Sequence, residues 1–303
     1  MTDIDLADAS PSRTPCLTAV LRMPLVKKIL LKDVSYQVEG RLSDVRSDLL
    51  VPGKVLTAPA LTLTASPSGM RISGAGLMGA VPFEATYSQE FKPEAKGRSQ
   101  VTGWAEISPR AEAEFSLGLP KGALSGKGRG DFTLDLVKGA APQLSLSSDL
   151  RGLVLAVPEL GWRKPAERAG KLTLSATLGK PANVKALTLE APGLSLRGSL
   201  SLRPEGGLER ARFSRVQVAD WLDAPVTLTG RGKGRSAAVS VEGGLFDLRR
   251  LPDLGGGGGG DSAPMRVALD RVQVSEGIAL TGLRGEFATR GGFNGSFTAR
   301  VNE

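Results

Sequence analysis

The chain has 303 residues, 41% of them hydrophobic, which is enough to bury a core and excludes wholesale disorder. It contains no histidine and a single cysteine, Cys16, so histidine-ligated zinc, serine–histidine–aspartate triads, cysteine–histidine dyads and internal disulfides are excluded. A net charge of +8 favours anionic partners without choosing among nucleic acid, lipid headgroups and lipopolysaccharide.

Residues 1–31 read as a poorly defined N-terminal segment. The apolar stretch at 17–31 is interrupted by Arg22, Pro24, Lys27 and Lys28, well short of the roughly 18 to 20 apolar residues of a spanning helix. Asp3, Asp5 and Asp8 carry the wrong sign for the basic start of a signal peptide. No anchor or export signal is therefore expected in this chain, and a weak helical pattern within 17–31 is broken by Pro24.

From residue 32 to residue 303 one texture runs without a visible domain boundary. Leu61 and Leu63, Leu134 and Leu136, Leu144 and Leu146, Leu172 and Leu174, Leu187 and Leu189, and Leu194 and Leu196 each place apolar side chains on one face of a pleated strand. Val216 with Val218, Val226 with Leu228, Val239 with Val241, Val267 with Leu269, Val272 with Val274, and Ile278 with Leu280 continue the series. The alternate positions are largely Ser and Thr, which suit a solvated outer face. Turn residues such as Pro67-Ser68-Gly69, Gly179-Lys180-Pro181 and Glu242-Gly243-Gly244 fall between the strands and predict mostly antiparallel neighbours. Ala219-Asp220-Trp221-Leu222-Asp223 is the best short helix candidate, and residues 253–263, with six consecutive glycines at 255–260, read as a flexible loop. Residues 297–301 alternate almost to the last residue, so a piece of something longer is expected.

The predicted fold class is all-β: a long, curled, mostly antiparallel sheet forming an elongated groove, with few short helices. About eighteen strands at about 4.8 Å each would extend on the order of 80 Å, further than an open sheet runs without curling. Aromatic residues that usually knit two layers are few, with Phe 9, Trp 3 and Tyr 2. The leucine, valine and isoleucine rows named above, apart from Val216, Val218, Val272 and Val274, are the candidate lipid-binding residues of that groove. Moving an acyl chain of about fifteen methylenes through water costs on the order of 12 kcal/mol, which an aliphatic lining offsets. Alternation leaves a second reading open, a structural or adhesin-like β protein whose rows close on one another as a core.

Several motifs carry a resemblance: Leu49-Leu50-Val51-Pro52-Gly53-Lys54, Gly74-Ala75-Gly76-Leu77-Met78-Gly79-Ala80-Val81-Pro82-Phe83, and Glu159-Leu160-Gly161-Trp162-Arg163-Lys164-Pro165. Leu245-Phe246-Asp247-Leu248-Arg249 and the glycine-punctuated segment 277–295 extend it. Over most of residues 34–303 the chain resembles the YhdP-like branch of the AsmA/TamB superfamily. The resemblance implies a periplasmic β-groove, anchored in the inner membrane in the full-length protein, that carries phospholipid between inner and outer membranes. It implies no enzyme activity and no cofactor, and this chain would be one section of the conduit, bound to phospholipid or another envelope lipid.

Other chemistry is weak. Glu112 and Glu114, expected on one face of a strand, and Asp131 and Asp135 read as solvated charge rather than a hydrolase pair. Cys16 reads as a free thiol, and no metal ligand set is present. The basic segments 121–129 and 231–235 lack interleaved aromatics, so nucleic acid is not the expected partner. Trp162 and Trp221 are expected in core or turn packing, with a plug or rim of the groove as the other reading.

Overall fold

The computed structural model describes residues 16–22, 35–51, 53–120, 122–179, 181–232, 235–251, 263–288 and 294–302. These residues are all-β and mostly antiparallel, as the alternation predicts, with one α-helix among them. The predicted glycine loop at 253–263 lies outside the described residues, apart from Ala263. The chain divides into two compact units, 1–106 with 130–145 and 107–129 with 146–303.

In the first unit, β1 (Cys16–Arg22), β2 (Ser35–Val51), β3 (Lys54–Ser66), β4 (Gly69–Met78), β5 (Val81–Glu90) and β6 (Arg98–Ile107) follow one another as antiparallel neighbours. The weak helical expectation at 17–31 fails over 17–22. These residues pair in unbroken register with β2, from Cys16 opposite Arg41 to Arg22 opposite Ser35, so β2 supplies the hydrogen-bond partners that a helix would have found within itself. Leu17, Gly40, Leu63, Ile72, Tyr87 and Val101 stand opposite one another across six strands.

Between β6 and the rest of that unit, the chain contributes a helix and a short strand to the second unit. Helix α1 (Pro109–Phe115) starts on Ser108, whose buried hydroxyl accepts from Ala111 N–H, and has proline in its first turn. It ends on Ser116 in the left-handed conformation, φ 50°. Glu112 and Glu114 therefore lie on a helix, not on the strand face expected, because the Ser-Pro start outweighs the Ala/Glu alternation that follows. Strand β7 (Leu124–Gly126) leads to β8 (Gly128–Val137), which runs beside β6. There the Lys138 N–H donates to Gly97 O at 2.8 Å and Gln100 Nε2 donates to Asp135 Oδ1 at 2.8 Å. Strand β9 (Gln143–Ser148) begins in the first unit and ends in the second.

The second unit holds two sheets. The small one joins β7, β10 (Leu153–Val157) and β11 (Trp162–Lys164), with β10 in the middle. The large one starts as an antiparallel meander of β12 (Lys171–Thr177), β13 (Asn183–Ala191), β14 (Leu194–Leu202), β15 (Leu208–Val218) and β16 (Leu222–Thr229). The short helix expected at 219–223 is absent. Trp221 N–H closes a tight turn onto Val218 O at 3.1 Å, and β16 starts at the next residue.

Strands β17 (Ala238–Glu242) and β18 (Leu245–Asp247) share one place in the sheet, β17 beside the second half of β16 and β18 beside its start. The step between them is Gly243-Gly244, both at positive φ. A side chain on Gly244 would meet Asp223 O at 2.3 Å, so only glycine fits. Both pieces run parallel to β19 (Pro264–Gln273), the exception to the antiparallel rule. A parallel pair needs a crossover connection rather than a tight turn, and β18 and β19 are separated by 16 residues in the sequence. Antiparallel β20 (Ala279–Ala288) and β21 (Asn294–Asn302) complete the sheet.

Candidate functional site

The cross-strand register of the second unit turns the predicted alternation into continuous rows. Leu174, Leu187, Gly198, Phe213, Val226, Val241, Val267, Gly285 and Phe297 stand opposite one another from β12 to β21. On one side of this row lies Leu172, Leu189, Leu196, Val216 and Ala224. On the other lies Ala176, Val184, Leu200, Ala211, Leu228, Val239, Met265 and Phe287. Directly opposed residues share a face, so these rows make one apolar face. Register shifts at 184/187 in β13 and 213/216 in β15 hold the rows together across odd spacings and bend those strands.

Among the described residues the face is closed most completely at one end. Leu194, Val218, Leu222 and Val272 are buried in a cluster with Trp162, Trp221, Val216, Ala224, Leu269 and Leu283, against which Leu155, Val157 and Leu160 pack. Trp162 Nε1 donates to Pro192 O at 2.8 Å, and Trp221 meets Phe246 edge-on with ring centroids 5.5 Å apart. Both tryptophans are thus core residues. Away from this end the cover thins: Phe213, Val226, Val241 and Val267 are half-buried and pack against the cluster, Leu174 and Leu187 are half-buried and are not among its members, and Phe297 is 55% exposed.

Among the expected lipid-facing residues, Leu172, Leu174, Leu187, Leu189, Leu196, Val226, Leu228, Val239, Val241, Val267 and Leu280 are half-buried members of this unit, while Leu194 and Leu269 are in its closed cluster. Ile278 sits just before β20 and is exposed. Leu61, Leu134, Leu136 and Leu144 are half-buried and Leu63 is buried in the first unit; Leu146, half-buried, belongs to the second. Phe213, Phe246, Met265 and Phe287 also lie on the apolar face, although isolated aromatics and a methionine give little alternation to read.

A buried lysine anchors the small sheet. Lys164 is fully buried, and its ammonium donates to Leu150 O and Leu153 O at 2.8 Å and to Pro165 O at 3.0 Å, using all three donors. Burial pushes its pKa down, with Glu167 and Asp149 pulling the other way. Next along β11, Trp162 enters the cluster, so the lysine fixes the piece that closes the apolar face. On the opposite, polar face, arginines are neutralised in cross-strand pairs. Arg197 meets Glu190, Arg215 meets Asp223 and Arg266 meets Glu286, at 3.2, 2.6 and 2.8 Å. The Arg215 hydrogen bond holds the Asp223 carboxyl below its ordinary range.

Among the described residues no set of three or more acidic or cysteine side chains converges as a metal site, and no helix is long and apolar enough to cross a membrane. Asp131 and Asp135 are exposed on β8. Of the basic segments, Lys121, Lys233 and Gly234 lie outside the described residues. No protein-family model, curated protein or solved structure matches this chain.

Proposed function

We propose that the apolar face of β12 to β21 binds lipid acyl chains, and that the chain is a non-enzymatic section of a lipid-transfer conduit. The supporting observation is the unbroken row from Leu174 to Val267, which touches the closed cluster from Phe213 onwards yet stays half-buried along its whole length, each side chain keeping a part open to solvent. Seven strands at about 4.8 Å carry the row over about 29 Å. A sixteen-carbon chain, advancing about 1.2 Å per bond, needs about two-thirds of that length. Leucine and valine present hydrocarbon without polar atoms, and the Ser, Thr and ion-paired Arg of the opposite face stay in water. The sequence resemblance to the AsmA/TamB superfamily points the same way. It is the source of the proposed setting, a periplasmic bridge carrying phospholipid between inner and outer membranes, with an inner-membrane anchor in the full-length protein.

The test is photocrosslinking with a phospholipid that bears a photoactivatable group in its acyl chain. Crosslinks are expected on β12 to β17, and Leu174→Asp with Leu196→Asp should abolish them while circular dichroism stays unchanged. Unfolding of that variant would favour the structural or adhesin-like reading with a sealed core.

A further inference from the structure

We propose that Arg210 and Arg212, together with Arg203, bind a phosphate group in a hollow at the strand ends of β14 to β16. The hollow, of about 490 Å³, is lined by these three arginines and by Ser199, Ser201 and Glu209. Ser201 stands opposite Arg210 and Ser199 opposite Arg212, so two hydroxyls and two guanidinium groups share the polar face.

Two neighbouring arginines without a carboxylate partner single out this place. Elsewhere on the same face Arg197, Arg215 and Arg266 are each held by a carboxylate. The side chains of Arg210 and Arg212 have no ion-pair or hydrogen-bond partner among the described residues. Arg203 is held in place by its own hydrogen bond, Nη2 to Gly230 O at 2.7 Å, which leaves its other donors available. With Glu209 counted against them, the three arginines leave the hollow two positive charges in excess. Arg210 and Arg212, two residues apart on one strand, are separated by about 7 Å, within which two guanidinium forks can converge on one tetrahedral oxyanion. Their planar donors match phosphate oxygens in pairs, and the serine hydroxyls add neutral donors.

Ser199 and Ser201 flank Leu200, whose side chain belongs to the apolar row with Ala211 and Leu228. The hollow therefore borders the acyl-binding face across the strand ends. A phosphate there comes either from a lipid whose tails lie on the apolar face or from a soluble phosphate ester. The lipid source rests on the function proposed above; the phosphate site does not.

The experiment titrates the full chain, at constant ionic strength, with glycerol 1-phosphate, dihexanoyl phosphatidic acid and the phosphate-free dioctanoylglycerol. Arg210→Gln with Arg212→Gln should weaken both phosphate ligands at least tenfold and leave dioctanoylglycerol unchanged. The control, Arg197→Gln with Arg266→Gln, removes the same charge from engaged arginines and should change phosphate binding less than threefold. Equal losses in the two double variants, or undiminished phosphate binding by the first, would overturn the site. Tighter binding of phosphatidic acid than of glycerol 1-phosphate by the native chain supports a lipid headgroup, and equal binding supports a soluble ester. If dioctanoylglycerol does not bind the native chain, the acyl-chain reading fails while the phosphate comparison still decides this proposal.

Discussion

A negative charge introduced at Val226 and at Val218 should have opposite consequences, although both residues are valines on the same face of neighbouring strands. Val218 is 2% exposed and packed in the tryptophan cluster. Val218→Asp gives up a transfer energy of about 2 kcal/mol and buries an unpaired carboxylate at a cost of several more. The total is a large fraction of the roughly 5 to 15 kcal/mol that holds a domain together. Val226 is half-buried, so its replacement forfeits only about 1 kcal/mol and its carboxylate reaches water, a fall of roughly 2 to 4 °C in melting temperature. The effect on lipid is the reverse. One strand step of about 4.8 Å faces roughly four methylenes of an extended chain. Loss of their burial at about 0.8 kcal/mol each weakens binding about two hundredfold. Thermal denaturation followed by circular dichroism reads the first quantity and displacement of a fluorescent fatty acid reads the second. The reasoning is refuted if Val226→Asp unfolds the chain as Val218→Asp does, or if it leaves fatty-acid affinity untouched.

Two further substitutions probe the closed end. Lys164→Met removes the donor shared by three carbonyls and should destabilise the second unit by on the order of 3 kcal/mol, a fall of roughly 10 °C in melting temperature, whereas a lysine of no structural consequence would leave it unchanged. Asp247 is held by Arg249, which lowers its carboxyl from 3.8 to about 2. Because the folded value is the lower one, the stabilisation is present above about pH 4 and is lost as pH falls through about 2. Urea denaturation at pH 5 and pH 2 should show a smaller acid loss for Asp247→Asn than for the native chain.

The class of fold was legible because Leu187 and Leu189, or Leu194 and Leu196, keep a strict period of two inside single strands, which local sterics enforce. Relations between strands were less visible. Phe213 and Val216 are three apart and seem to face opposite ways, but the bulge between them returns both to the apolar face. Helix α1 announced itself through Ser108-Pro109, a start signal that the Glu112 and Glu114 alternation concealed. Trp221 has helix-like neighbours, yet Asp247 N–H donates to its carbonyl at 2.8 Å and the chain is drawn into sheet. Lys164 looks like any surface lysine in the sequence, since its burial depends on the positions of Leu150 and Leu153, which only the folded chain brings to it. Within the site, the leucine and valine rows could be named from sequence, but not which of them are covered, because cover comes from the β11 tryptophan and the small sheet.

The central claim, that the half-buried row through Leu187, Val226 and Val241 stays open to a ligand beside the closed cluster, is tested most directly by cysteine accessibility. With Cys16 replaced by serine, single cysteines at Leu187, Val226, Val241 and Val218 are reacted with a small maleimide with and without phospholipid. The first three should label readily and be protected when phospholipid is added, while the cysteine at Val218 stays unreactive under native conditions. If the cysteines at Leu187, Val226 and Val241 are as inert as the one at Val218 in lipid-free protein, the face is already sealed and the account is wrong.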